Sequence, residues 1–171
     1  MKYTSAEAAK LLRRLNEEHD AVLQMERQSN QFVAAVSEDL ESVQPDYDLL
    51  IAQARLEALE EKIRKVKHAL NVFNTTHKVP GFDMTIDQML VYIPQLNQRR
   101  MKLRDMAGVL PKTRVKGRSA VNSAVIEYTY ANYDVVEAKA LADAAAEELA
   151  RAQTALDKVN STETMEIEIE L

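Results

Sequence analysis

The sequence predicts a mainly α protein: a long antiparallel coiled-coil helical hairpin plus two further helices, with two short β-strands. Three observations carry this reading. First, the apolar residues Leu49, Ala52, Leu56, Leu59, Ile63, Val66, Leu70 and Phe73 step alternately by three and four, which keeps one stripe of a helix against a partner helix. Second, 171 residues contain only three Gly and four Pro, too few turn-formers for a fold of many short elements. Third, 29% charged and 5% aromatic residues suit interdigitating helices with wet outer faces.

The first helix is predicted over 5–43. Thr4-Ser5-Ala6-Glu7 reads as a capping box at its start, and Pro45 ends it. Its stripe runs through Ala8, Leu11, Leu15, Val22, Met25, Phe32, Val36, Leu40 and Val43, interrupted by His19 and Ser29. A helix of that span is roughly 58 Å long. The second helix is predicted over 46–76, with Asp46 as its cap and the heptads as its seam. A link of a few residues around Gln44-Pro45 makes the two helices antiparallel neighbours. Leu50 and Ile51 widen the second stripe, so further helices or a second copy of the chain are expected to cover it.

Residues 74–84 are rich in turn formers. Thr85-Ile86-Asp87-Gln88 is a second capping box and opens a helix over 85–107, with a stripe of Ile86, Met89, Leu90, Ile93, Leu96 and Leu103. Pro94 inside it removes one backbone bond and is expected to kink it, and Gly108 terminates it. Ala124 to Tyr130 is β-branched and aromatic, which places a strand at about 121–130, or 119–130 at its widest. Asn132 or Asp134 caps a fourth helix over 134–159, whose stripe is Leu141, Ala145, Leu149, Ala152, Leu156 and Val159. From Met165 to Leu171 apolar residues alternate with Glu, which places a strand at about 163–170, extending to 171. The two strands pair either in parallel within one chain or antiparallel across a two-fold axis. All of this fits a single elongated domain over 1–171.

Composition excludes several chemistries. Without cysteine there is no disulfide, thiolate metal site or Cys nucleophile. Glycine stands only at 81, 108 and 117, so no phosphate loop or dinucleotide fingerprint exists. No HExxH, EF-hand loop, Glu-x-x-His or GxSxG occurs. No catalytic residue, metal ligand or cofactor is therefore assigned, and an enzyme is not expected. His19 sits on the first apolar stripe, where it reads as a seam histidine tuning register ahead of a ligand or base. No apolar run approaches the ~20 residues that span a bilayer. A soluble cytoplasmic protein without a membrane partner is expected.

The net charge of −5 is uneven. Lys112, Arg114, Lys116 and Arg118 stand against only Glu127 in 111–133, whereas the following stretch to 171 is acidic. With Arg99 they form a candidate patch for an anionic partner. A solvated turn is the preferred reading, because aromatic residues do not interleave with the basic ones and Tyr128, Tyr130 and Tyr133 suit strand packing. Nucleic acid is thus the alternative partner and not the main one.

Three stretches carry a family resemblance: Leu70-Asn71-Val72-Phe73-Asn74-Thr75-Thr76, Thr85-Ile86-Asp87-Gln88-Met89-Leu90, and Leu156-Asp157-Lys158-Val159-Asn160-Ser161-Thr162. In order and spacing the chain resembles the septicolysin-like family of uncharacterised bacterial helical proteins, over about 50–165. It departs from that pattern where Ile93-Pro94 replaces an Arg-Asp pair. The resemblance implies a helical fold and a bacterial source, and it supplies no catalytic residue. The expected function is a non-enzymatic, self-associating scaffold or interaction module, with a dimer favoured.

Overall fold

The computed structural model describes residues 1–115 and 126–169. The chain divides into two compact units, Met1–His77 with Val159–Leu171, and Lys78–Lys158. Both are helical, with short strands in antiparallel pairs.

The first unit opens with strand β1, Lys2–Thr4, which leads directly into helix α1, Ser5–Ser29. Thr4 serves both: it ends the strand and closes the predicted capping box with Glu7. A four-residue helix α2, Leu40–Val43, and the long helix α3, Leu49–Thr76, follow. α1 and α3 are antiparallel neighbours, since Glu26 meets Gln53 while His19, one stretch back along α1, meets Glu60 further along α3. The seam lies between them. Ala8, Leu11, Leu15 and Val22 are buried on α1; Ala52, Leu56, Leu59, Val66 and Phe73 are buried on α3, with Ile63 and Leu70 half-buried.

The predicted first helix over 5–43 is corrected: α1 stops at Ser29, and the link to α3 is residues 30–48 with α2 inside it. The register explains this. Continued past the Glu26–Gln53 contact, α1 comes level with the start of α3 within a turn, and beyond that no second helix can bury the Phe32 and Val36 stripe. Helical stability in proteins comes mostly from such burial. Gln28-Ser29-Asn30-Gln31 offers no apolar anchor there and Asn30 caps the end. α3 is capped by Asp48, whose carboxylate accepts from the Leu50 and Ile51 N–H groups, and not by Asp46.

β4, Thr164–Glu166, pairs antiparallel with β1, Tyr3 opposite Met165. Ile167 and Met1 extend the ladder by exchanging backbone bonds. The period-two reading of the C-terminal segment holds in its burial: Met165, Ile167 and Ile169 are buried while Glu166 and Glu168 are exposed. This segment runs along α3, with Met165 beside Phe73 and Ile169 beside Ala58. An extended segment, not a further helix, thus covers that side of the hairpin.

In the second unit, Val79-Pro80-Gly81-Phe82 makes a turn in which the Phe82 N–H donates to the Val79 carbonyl. Gly81 has φ of 83°, the left-handed region that a Pro-Gly turn requires at this position. Helix α4, Ile86–Ala107, starts at the predicted Thr85–Gln88 capping box and runs through Pro94 to Gly108. Strands β2, Lys112–Arg114, and β3, Tyr128–Tyr130, pair antiparallel. Helix α5, Val135–Thr162, begins at Asp134, whose carboxylate accepts from the Val136 and Glu137 N–H groups; its last turn belongs to the first unit. α4 and α5 run antiparallel: the Tyr92 hydroxyl donates to Glu148, and the Tyr133 hydroxyl donates to the Met106 carbonyl. The buried stripe of α5 is Ala138, Ala142, Ala145, Leu149, Ala152, Leu156 and Val159; Leu141, expected in it, is exposed.

The expected pairing of two strands with each other is also corrected. Each pairs with a strand the sequence reading had not assigned, β4 with β1 and β3 with β2. The sequence hides both partners because three-residue strands carry too little periodicity to register. The predicted strand over 119–130 begins in residues outside those described, and Tyr128–Tyr130 is the described strand within it.

Candidate functional site

Two surfaces stand out, one in each unit. The first is the segment 30–51 with the end of the hairpin it joins. Between Gln28 and Ala54 there is no Lys or Arg, and Glu38, Asp39, Glu41, Asp46 and Asp48 make the stretch acidic. Its backbone is fixed locally. The Ala35 N–H donates to Glu38 Oε2 at 2.6 Å, and the Glu38 N–H donates back to the Ala35 carbonyl at 3.0 Å. The Tyr47 hydroxyl donates to Glu26 Oε1 at 2.7 Å, and Gln53 Nε2 donates to the same oxygen at 3.1 Å. That carboxylate holds the Tyr47 phenol above its ordinary pKa, since ionising the phenol would end the bond.

With the polar groups turned to these tasks, the apolar side chains face outward. Val33 is 95% exposed and Leu50 79%; Phe32, Val36, Leu40 and Ile51 are exposed as well. Leu49, the first residue of the predicted seam, is 56% exposed and belongs to this surface, not to the hairpin core. Scattered exposed apolar residues are ordinary; here several stand together on one joined segment.

The second surface is the β2–β3 ladder. Its register sets Lys112 opposite Tyr130 and Arg114 opposite Tyr128, with Thr113 and Thr129 on the other face. One face therefore carries two cations and two phenols, all exposed, Tyr130 by 62%. The Tyr128 and Tyr130 ring centroids lie 6.4 Å apart. Lys112 Nζ sits 4.1 Å from the first centroid and 5.4 Å from the second, within cation–π range of both. The pairing corrects the expectation that aromatic and basic residues stay apart: they are separate along the chain and interleaved across the ladder. The tyrosines do not pack into a core. Of the remaining candidate patch, Arg99 is an exposed residue of α4, and Lys116 and Arg118 lie outside the described residues.

His19 lies with Nε2 3.6 Å from Glu60 on α3 and Nδ1 3.8 Å from Asp20. A cleft of about 330 Å³ beside β4 is lined by His68, Phe73, His77 and Glu166. Among the described residues no three His, Cys, Asp or Glu side chains converge to hold a metal ion, and no helix is long and apolar enough to cross a membrane.

Neither a family model nor a curated protein matches this chain. A solved structure does: a functionally unknown conserved protein from Corynebacterium diphtheriae is similar with a TM-score of 0.58 and 19% identity, covering 97% of this chain and 100% of that one. At that identity the likeness shows the fold alone, a helical arrangement also found in a bacterial protein.

Proposed function

We propose that the protein is a non-enzymatic, self-associating scaffold or interaction module that works through the acidic, apolar 30–51 surface. The observation that carries this reading is the outward set of Val33, Val36, Leu50 and Ile51 on a segment that is tied locally by the Ala35–Glu38 bond and to α1 by the Tyr47–Glu26 bond. A surface that is ordered before binding loses little conformational freedom when it is covered. The resemblance to the septicolysin-like family belongs to the same proposal, as a helical frame without catalytic residues. The test is light scattering of the wild type and of Leu50→Lys at matched helix content. The wild type forms a species larger than one chain and the variant shifts toward the monomer; a monomeric wild type at all concentrations overturns the reading.

One observation favours a second reading. Lys112 over Tyr128 and Tyr130, with Arg114 beside them, has the cation and stacking groups that bind single-stranded nucleic acid. Salt-dependent binding of an oligonucleotide that is lost in Arg114→Glu would support it.

A further inference from the structure

We propose that the Lys112, Arg114, Tyr128, Tyr130 face of β2–β3 receives the acidic, apolar 30–51 segment of a second copy of the chain. The inference rests on the self-association reading and names the surface that meets the exposed segment.

Three features match the two faces. The first is charge: the segment from Gln28 to Ala54 holds five carboxylates and no cation, while the ladder face presents Lys112 and Arg114. Complementary faces attract and like-charged pairings are rejected, so charge selects the partner face. The second is surface chemistry. Tyr128 and Tyr130 offer exposed ring faces that suit apolar side chains such as Val36 and Leu40, and tyrosine with arginine is the composition enriched at contact centres. The third is mutual exposure, since each face is open to solvent in a single copy. Nucleic acid fits the ladder less well. A chain of net charge −5 repels a polyanion outside that patch.

The test uses two full-length charge reversals. In one, Lys112→Glu and Arg114→Glu turn the ladder face acidic; in the other, Asp39→Lys, Glu41→Lys and Asp46→Lys give the segment a net positive charge. Each variant alone sets like charges together and is expected to associate at least ~10-fold more weakly than wild type. Mixed in equal amounts, both contacts become attractive again, and a mixed complex forms with affinity within ~3-fold of wild type, read by sedimentation with one variant fluorescently labelled. Arg114→Glu alone, which leaves Lys112 over the tyrosine rings, weakens association in the same direction. A wild type that associates while the ladder variants associate equally well overturns this inference and leaves the self-association reading standing; a monomeric wild type overturns both. Restoration absent from the mixture, at unchanged helix content, also overturns it. So does salt-sensitive binding of a single-stranded oligonucleotide that is lost in Arg114→Glu without any change in mass, which assigns the face to nucleic acid.

Discussion

The Tyr47 hydroxyl donates to Glu26 Oε1 at 2.7 Å, tying the end of the 30–48 link back to the last turns of α1. This bond, with Gln53 on the same oxygen, fixes the base of the exposed segment. Tyr47→Phe is expected to speed amide exchange through 44–48 while leaving exchange in the middle of α3 unchanged. The Tyr47 pKa is raised in the folded chain, so its contribution is fully present below the ordinary phenol value of 10.0 and is lost as pH rises through the folded value. Wild type and variant therefore converge at high pH. Equal exchange at pH 7 would contradict the role given to this bond.

Leu49 and Phe73 begin and end the same heptad stripe but have opposite fates. Phe73 is 2% exposed and its ring stacks on His77 at a centroid distance of 3.9 Å. Phe73→Ala is expected to cost ~3–5 kcal/mol, the range for a large buried side chain that leaves a cavity. Leu49→Ala should cost under ~0.5 kcal/mol, as at an exposed site. Chemical denaturation of both variants checks this, and similar losses would show that Leu49 is buried.

At the other end of the hairpin, the Thr4 backbone N–H donates to Glu7 Oε2 at 2.8 Å, and this bond holds the Glu7 carboxyl below its ordinary value of 4.5. A depressed carboxylate contributes stability above its unfolded pKa and loses it as pH falls through the folded value. The thermal midpoint of the wild type should therefore fall below about pH 4.5 more steeply than that of Glu7→Gln, whose amide keeps the capping box without titrating. Parallel curves from pH 7 to about pH 3 would exclude this contribution.

In the second unit, Ala152 is fully buried on α5, where small side chains let a neighbour approach closely. Ala152→Leu inserts volume into a filled space and is expected to destabilise by ~1–3 kcal/mol. The same change at exposed Ala150 should be near neutral. Equal effects, measured by thermal unfolding, would mean that the α5 face is loosely packed.

The parts of the fold legible in the sequence are those written in local chemistry. The capping boxes at Thr4 and Thr85, the stop at Gly108 and the alternation of Met165, Ile167 and Ile169 each use neighbouring residues alone, and each stands where it was read. The end of α1 was not legible, because it depends on where α3 begins and so on the register between Glu26 and Gln53. β1 and β2 were missed because a strand of three residues is defined by its partner. The candidate site was legible by halves. Lys112 and Arg114 were found by charge, while Tyr128 and Tyr130 joined them only through the ladder, and the outward turn of Val33 and Leu50 follows from a helix ending early.

The central claim is that the 30–51 surface is covered when copies of the chain meet. Carbene footprinting read by mass spectrometry at low and high protein concentration tests this directly. The account predicts that labelling of Val33, Val36 and Leu50 falls several-fold as concentration rises, while labelling of exposed Val72 on α3 stays constant. Labelling of Val33 and Leu50 that is independent of concentration, in a sample whose mass shows association, would contradict it.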